Sequence, residues 1–176
     1  AAATHIIEAT LADTLGLTTE ATTSQTVHLV ADMLDKGAKM SDIDSRRREV
    51  MKKSADLIHY KGELLQRIEF LLDGKLALIH IPWGEIEKYS PHYNPTMLAL
   101  EELRNTEGVE ISIGIKTYPD GKITGKLRAS KPIAGDIAAH FGGGGHAYAS
   151  GFKVTDWQYD ELKNEVTKVA NELLNQ

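Results

Sequence analysis

An α/β fold, a mixed β-sheet with flanking helices, is predicted for the larger part of this chain, and three stretches predict it. Lys75 to Ile81 is a nearly continuous apolar run ending at Pro82-Trp83, the pattern of a strand buried on both faces and stopped by proline. Val109, Ile111, Ile113 and Ile115 alternate with Glu110, Ser112, Gly114 and Lys116, which is the period-two signature of a half-buried strand. Trp157, Tyr159, Leu162, Val166, Val169, Ala170 and Leu173 recur at helical spacing, so the chain should close with an amphipathic helix lying on the sheet.

Helical patterns come first in chain order. Ala3, Ile7 and Leu11 share a helical stripe that runs into a turn at Asp13-Thr14-Leu15-Gly16. Ser24 is the expected N-cap of a second helix with the stripe Val27, Val30, Ala31 and Leu34, and Gly37 supplies its stop. His28 lies off that stripe as an ordinary helical residue. From Ser41 a longer pattern passes through Ile43, Val50, Ser54, Leu57, Leu64 and Ile68; unbroken, its roughly thirty residues would span about 45 Å, with Lys61-Gly62 as the weak point.

After the apolar run, Asn94 to Arg104 reads as helical through Met97, Leu98, Leu100 and Leu103. Tyr118-Pro119-Asp120-Gly121 has hairpin-turn chemistry. The returning strand then carries Ile123, Leu127 and Ala129 on one face and Thr124, Lys126, Arg128 and Ser130 on the other. Pro132 starts a short helix through Ile133 and Ile137 that ends at His140-Phe141, Phe152 and Val154 continue a strand, and Asp156 is the expected cap of the last helix.

Composition restricts the function classes. With 25 acidic and 20 basic side chains the chain is mildly negative, so any polyanion must be held by a local cluster rather than by the global field. The absence of cysteine excludes disulfides and thiolate metal sites. No apolar run approaches the roughly 20 residues of a membrane span, and no charged and apolar leader opens the sequence; a cytoplasmic chain without membrane contact is expected. The first residue is Ala rather than Met, which reads as a piece of a larger protein. Arg46-Arg47-Arg48 with Lys52 and Lys53 invites a nucleic-acid reading, but on a helix these cations point around more than half the circumference and no aromatic residue among them could stack a base. A solvated face is the expectation.

The chemistry concentrates at Phe141-Gly142-Gly143-Gly144-Gly145-His146-Ala147-Tyr148-Ala149-Ser150-Gly151. Each glycine loses more backbone entropy on ordering than any other residue, so the run should confer something in return. Side-chain-free backbone lets consecutive N–H groups converge on an anion such as phosphate, with His146 as a further donor; the rival reading is a flexible linker, disfavoured by Phe on one side and Tyr on the other. Arg128 offers a planar fork that matches phosphate oxygens, or else a salt bridge on the sheet surface. His146 can donate to a phosphoryl oxygen, or else satisfy a nearby carbonyl as a turn residue.

The string GGGHAYASG at Gly143 to Gly151, with Lys126-Leu127-Arg128-Ala129-Ser130 before it, resembles the GGGHxxAxG signature of the DHH-associated domain, the substrate-binding lobe of DHH phosphoesterases. Within that family the chain is most similar to the nanoRNase and pAp-phosphatase branch, and Ser150 departs mildly from the alanine often found there. The resemblance implies that residues 1–54 are a remnant of the catalytic lobe with its linker helix, and that residues 55–176 are the substrate-binding domain. It assigns Arg128, Ser130, Gly143, Gly144, Gly145 and His146 to a nucleotide's phosphate or sugar. It also implies a dinuclear Mn²⁺ site, toward which Asp13 of Asp13-Thr14 resembles one ligand, while the Asp-His-His motif that would complete it occurs nowhere in the chain. The expected function is thus the substrate lobe of a manganese-dependent phosphohydrolase acting on short oligoribonucleotides or adenosine phosphates such as pAp. The chain should be inactive by itself, with the catalytic lobe as its partner and a homodimer compatible with the family. The alternative is a non-hydrolytic RNA- or nucleotide-binding module, as in the related domain of alanyl-tRNA synthetases.

Overall fold

The computed structural model describes residues 2–176, which divide into two compact units, one running to Lys53 and the other spanning Ser54–Gln176. The first unit holds α1 (Ala2–Asp13), α2 (Ser24–Asp35) and α3 (Met40–Met51) around a small core of Ile7, Val30, Met33, Ala38 and Ile43. Thr23, not Ser24, caps α2: its hydroxyl accepts from the Thr26 N–H while the Thr26 hydroxyl accepts from the Thr23 N–H, a reciprocal capping box. Of the stripe expected for α2 only Val30 is buried; Val27 and Leu34 are exposed and Met33 takes the core position. The helix also stops where expected, with Gly37 in the left-handed region at φ 88°.

The long helix expected from Ser41 to Ile68 is two helices. Lys39 precedes α3, whose chain leaves the helical region at Lys52 (ψ 138°), and α4 (Ala55–Gln66) begins afresh with the Ser54 hydroxyl accepting from the Leu57 N–H at 3.2 Å. The break thus falls at a serine able to satisfy an orphan helix N–H. Gly62 lies unbroken inside α4.

The second unit is a mixed six-stranded sheet in the order β1-β2-β3-β4-β6-β5, made of β1 (Glu69–Leu71), β2 (Leu76–Ile81), β3 (Ile111–Thr117), β4 (Ile123–Ala129), β5 (Gly144–His146) and β6 (Ala149–Val154). Only β2 and β3 are parallel, joined by α5 (Trp83–Tyr89) and α6 (Pro95–Arg104); α7 (Ala134–His140) and α8 (Tyr159–Leu174) complete the unit. Leu76, Leu78, Ile111, Ile113, Ile115, Leu127 and Phe152 form one core with α7 and α8, while Ala77, Ile79 and Ile81 form the other with α4, α5 and α6. The α/β class and the flanking helices are as the sequence predicts.

Several local expectations are corrected. β3 is buried on both faces, because Thr96 of α6 packs on Gly114: a Cβ there would lie 2.4 Å from Thr96 Cγ2. Strand β1 and helix α5 were not foreseen; Pro82 acts less as a stop than as the residue preceding α5. The α8 cap is Gln158, which forms a capping box with Glu161, and Asp156 instead takes a left-handed turn conformation at φ 64°.

The α4–α5 side is tied by a polar cluster. Tyr60 Oη donates to Glu85 at 2.7 Å, Arg67 Nη1 donates to the same carboxylate at 2.6 Å and Nη2 makes a second bond, while the Tyr60 ring stacks on Tyr89. Burial raises the Glu85 pKa, but the Arg67 and Tyr60 bonds outweigh it and hold the carboxyl below its usual value. A depressed carboxylate contributes stability above its unfolded pKa near ~4.3, and that contribution is lost as pH falls through the folded value. The denaturant midpoint should therefore drop between about pH 5 and pH 3, and Glu85→Gln, less stable at neutral pH, should show a smaller drop when both proteins are unfolded at each pH.

Candidate functional site

Helices α4–α6 cover β2 and β3 but leave the same face of β4, β6 and β5 open, and the register places the candidate residues there. Directly paired residues share a face. Ser112 pairs with Arg128, Arg128 with Ala149 and Ala149 with His146, so these four form one row across four strands. The next row is Gly114, Lys126, Gly151 and Gly144, and the third is Lys116, Thr124 and Lys153. With strands about 4.8 Å apart, the Arg128 and His146 backbones lie about 10 Å from each other with only the methyl of Ala149 between them. Arg128, Gly144 and His146 are thus brought onto one face. Gly145 pairs with Ser150 on the reverse face, Gly143 precedes β5, and Ser130 follows the end of β4.

Arg128 is half-buried and donates from Nη1 to its neighbour's carbonyl, Leu127 O, at 2.9 Å. It lines a cavity of about 350 Å³ with Arg104, Glu110, Ser112, Ser130 and Tyr148. Glu110 is engaged by Lys131 at 2.6 Å, and none of the ion pairs among the described residues includes Arg128. The rival reading of Arg128 as a sheet-surface salt bridge therefore has no carboxylate to rest on. Ser112 is 1% exposed and its hydroxyl has no hydrogen-bond partner among the described residues, an unmet polar group at the edge of this cavity. Ser130 is exposed, and its N–H and hydroxyl both donate to Glu110 O, at 2.9 and 3.4 Å.

The glycine run is neither a linker nor a loop whose N–H groups all converge. Gly142 and Gly143 donate their N–H groups to Ala139 O and Ala138 O at 2.9 and 2.8 Å, closing the C-terminus of α7, with Gly142 at φ 70°. Gly144–His146 is the edge strand β5. Glycine is required here by close approach: a Cβ on Gly143 would lie 2.4 Å from Gly151 O, and one on Gly145 would lie 2.7 Å from Ser150 Cα. Phe141 and Phe152, their ring centroids 4.7 Å apart, anchor the two sides, and the buried Ser150 hydroxyl donates to Ala134 O, tying β6 to the start of α7. The exposed His146 is free to meet a ligand from the open face.

Sequence reasoning passed over the other half of this face. Lys116, Lys126 and Lys153 surround a second cavity of about 600 Å³, also lined by Gly114, Gly143 and Gly151 and bordered by Asn94 and Thr96. Alternation had placed Lys116 and Lys126 with Arg128 on the polar side of their strands; what it could not supply was the register that adds Lys153 from β6.

Elsewhere, Asp13 is exposed at the end of α1, in a groove whose other lining residues are Thr10, Thr14, Ala21, Thr23, Gln25, Thr26 and Leu29. The neighbouring Thr14 is buried and serves the turn, donating to Thr10 O and accepting from the Leu17 N–H. No group of three or more His, Cys, Asp or Glu capable of holding a metal occurs among the described residues. One carboxylate does not fit a manganese site, which needs several oxygen or imidazole ligands. In the basic run, Arg46 bonds Glu8, Arg48 bonds Asp44 and Lys52 bonds Glu49, the pattern of a solvated helix face. Among the described residues no helix is long and apolar enough to cross a membrane.

The DHHA1 domain family matches residues 90–176, the stretch that holds every residue of the open face. The chain is 28% identical over 156 residues to the A-adding tRNA nucleotidyltransferase of Aquifex aeolicus, covering 86% of this chain and 18% of that protein. It is 24% identical over 174 residues to the bifunctional oligoribonuclease and PAP phosphatase NrnA of Thermus thermophilus, covering 98% of this chain and 51% of that protein. The chain thus spans about half the length, or less, of the curated relatives it matches. The crystal structure of an exopolyphosphatase-related protein from Bacteroides fragilis superposes with a TM-score of 0.74 at 22% identity, over 94% of this chain and 49% of that one, a likeness of fold.

Proposed function

Because residues 90–176 are the DHHA1 domain of the DHH family, we propose that this chain is the substrate-binding part of a DHH phosphohydrolase acting on short oligoribonucleotides or adenosine phosphates such as pAp. The observation that carries the proposal is the row Ser112-Arg128-Ala149-His146: a guanidinium without a carboxylate partner and an imidazole, carried on one open face by backbones about 10 Å apart. A guanidinium in that setting takes phosphate oxygens through two parallel bonds, and the small side chain between the two groups leaves room for the sugar or second oxygen that His146 meets. Ser130 lines the same cavity as Arg128. This chain's part in turnover is to bind and orient; no hydrolytic step falls to its own residues. We assign the Mn²⁺ of such an enzyme to residues outside this sequence, with Asp13 supplying at most one ligand and the metal supplying activated water when bound. A cytoplasmic protein working with a catalytic lobe, the homodimer included, fits this role.

A second reading has one specific support. A tRNA nucleotidyltransferase matches this chain across only a small share of its own length, so a similar stretch occurs inside a protein named for a different reaction, and a non-hydrolytic RNA- or nucleotide-binding module is the alternative. Both readings place the ligand on the same face. NMR titration of the chain with pAp should move the amide resonances of Arg128, Ser130 and Gly143 to His146 while leaving Arg46, Arg47 and Arg48 in place; shifts confined to the arginine run would reject the site. Adding the parent's metal and a 5′-phosphorylated dinucleotide to the full-length protein then separates the two, since only the hydrolase releases mononucleotide.

A further inference from the structure

Lys116 is half-buried in β3, and its ammonium donates to Asn94 Oδ1 at 2.8 Å, a neutral partner. Lys153 lies in the same row, with only Thr124 between them, and Lys126 stands one row nearer Arg128. None of the three lysines is in an ion pair among the described residues, and no Asp or Glu lines the 600 Å³ cavity they share. Burial first, and then the charge of Lys126, hold the Lys116 ammonium below its usual pKa. Three cations around one depression without a counter-charge oppose folding, and a solvated face of scattered lysines would not half-bury one of them.

A second, independent feature points the same way. Thr96, 1% exposed at the start of the ten-residue helix α6, lines this cavity, and its buried hydroxyl has no hydrogen-bond partner among the described residues. Gly114, Gly143 and Gly151 also line the cavity, so part of its wall is backbone.

We propose that Lys116, Lys126 and Lys153, with the Thr96 hydroxyl, form a second phosphate subsite, so that this face holds a nucleotide strand through at least two of its backbone phosphates. The inference rests on the reading that the Arg128 row takes the first phosphate. Along β4, Lys126 is two residues and Thr124 four residues from Arg128, or about 7 and 13 Å, a span of one to two nucleotide steps of an extended strand. The lysines thereby favour oligonucleotides over mononucleotides, and the wider cavity accommodates a sugar-phosphate that turns as it leaves the Arg128 row.

The test uses the whole chain with two probes, a fluorescent 5′-phosphorylated trinucleotide and a nucleoside 5′-monophosphate, each titrated between 50 and 200 mM salt, roughly the range over which phosphate contacts are read from the salt slope. Lys126 and Lys153 are exposed, so Lys126→Gln/Lys153→Gln leaves the fold intact, which circular dichroism checks. The double variant should flatten the slope of log K against log salt for the trinucleotide by about 0.7, one phosphate contact on a single strand, and leave the monophosphate affinity unchanged. An unchanged trinucleotide slope, or an equal loss on both probes, overturns the subsite. Arg128→Ala is the separate arm: if it weakens both probes while the lysine variant binds both normally, only the second subsite falls, and if it weakens neither, the reading beneath it falls as well.

Discussion

Arg128→Ala should lower the affinity for pAp by about ten- to a hundredfold, the roughly 1.5–3 kcal/mol of a lost charge-assisted pair. The guanidinium enters the cavity already half-buried and resting on Leu127 O, so part of its ordering is done before the ligand arrives. Lysine at this position would restore the charge but not the fork, and Arg128→Lys should recover only part of the affinity. His146→Ala should weaken binding by less, about 0.5–1.5 kcal/mol for a neutral hydrogen bond, because His146 is exposed and water replaces its contact. Calorimetric titration of the three variants measures the order. If Arg128→Ala binds pAp as the unaltered chain does, the phosphate does not lie on this row.

Phe152→Ala should destabilise the second unit by about 3–5 kcal/mol, the range for truncating a buried aromatic. Phe152 is 5% exposed, touches Phe141, and its ring occupies the space that a Cβ on Gly125 would need, 2.3 Å away. The melting temperature should fall by on the order of 10–20 °C in a scanning calorimeter. Gly125→Ala supplies the internal check. Alone it drives its methyl into the ring and should destabilise by about 1–3 kcal/mol; in the Phe152→Ala background it should be nearly neutral, and this non-additivity measures the contact. Independent, additive losses would mean that the two residues do not meet. Because Phe152 also backs Gly143, loosening it should blur the hairpin of β5 and β6 that carries His146.

The parts of the site that follow from local alternation were legible in the sequence. Thr124, Lys126, Arg128 and Ser130 stand opposite Ile123, Leu127 and Ala129, so the strand's polar face could be read before any partner was known. The glycine run was harder, since glycine has low strand propensity. Its pairing with Ala149, Ser150 and Gly151, and the capture of the Gly142 and Gly143 N–H groups by α7, are decided by tertiary contacts. The burial of Ser112 and Gly114 likewise depends on α6 settling over β3, which no period-two pattern reports. The break between α3 and α4 was announced by Ser54, a capping residue that a continuous apolar stripe concealed. Lys153 joins Lys116 and Lys126 only through the β4–β6 register, so the second half of the open face becomes visible only once the strands are aligned.

The position of β5 has one more physical result. It is the last strand of the sheet and runs for only three residues, two of them glycine. A long, flat, apolar edge would invite another molecule's strand to add to it and seed intermolecular β-association, whereas so short an edge, with glycine's weak preference for extended pairing, is a poor template for that growth. The protein can therefore keep one border of its sheet uncovered and its colloidal behaviour intact at the same place.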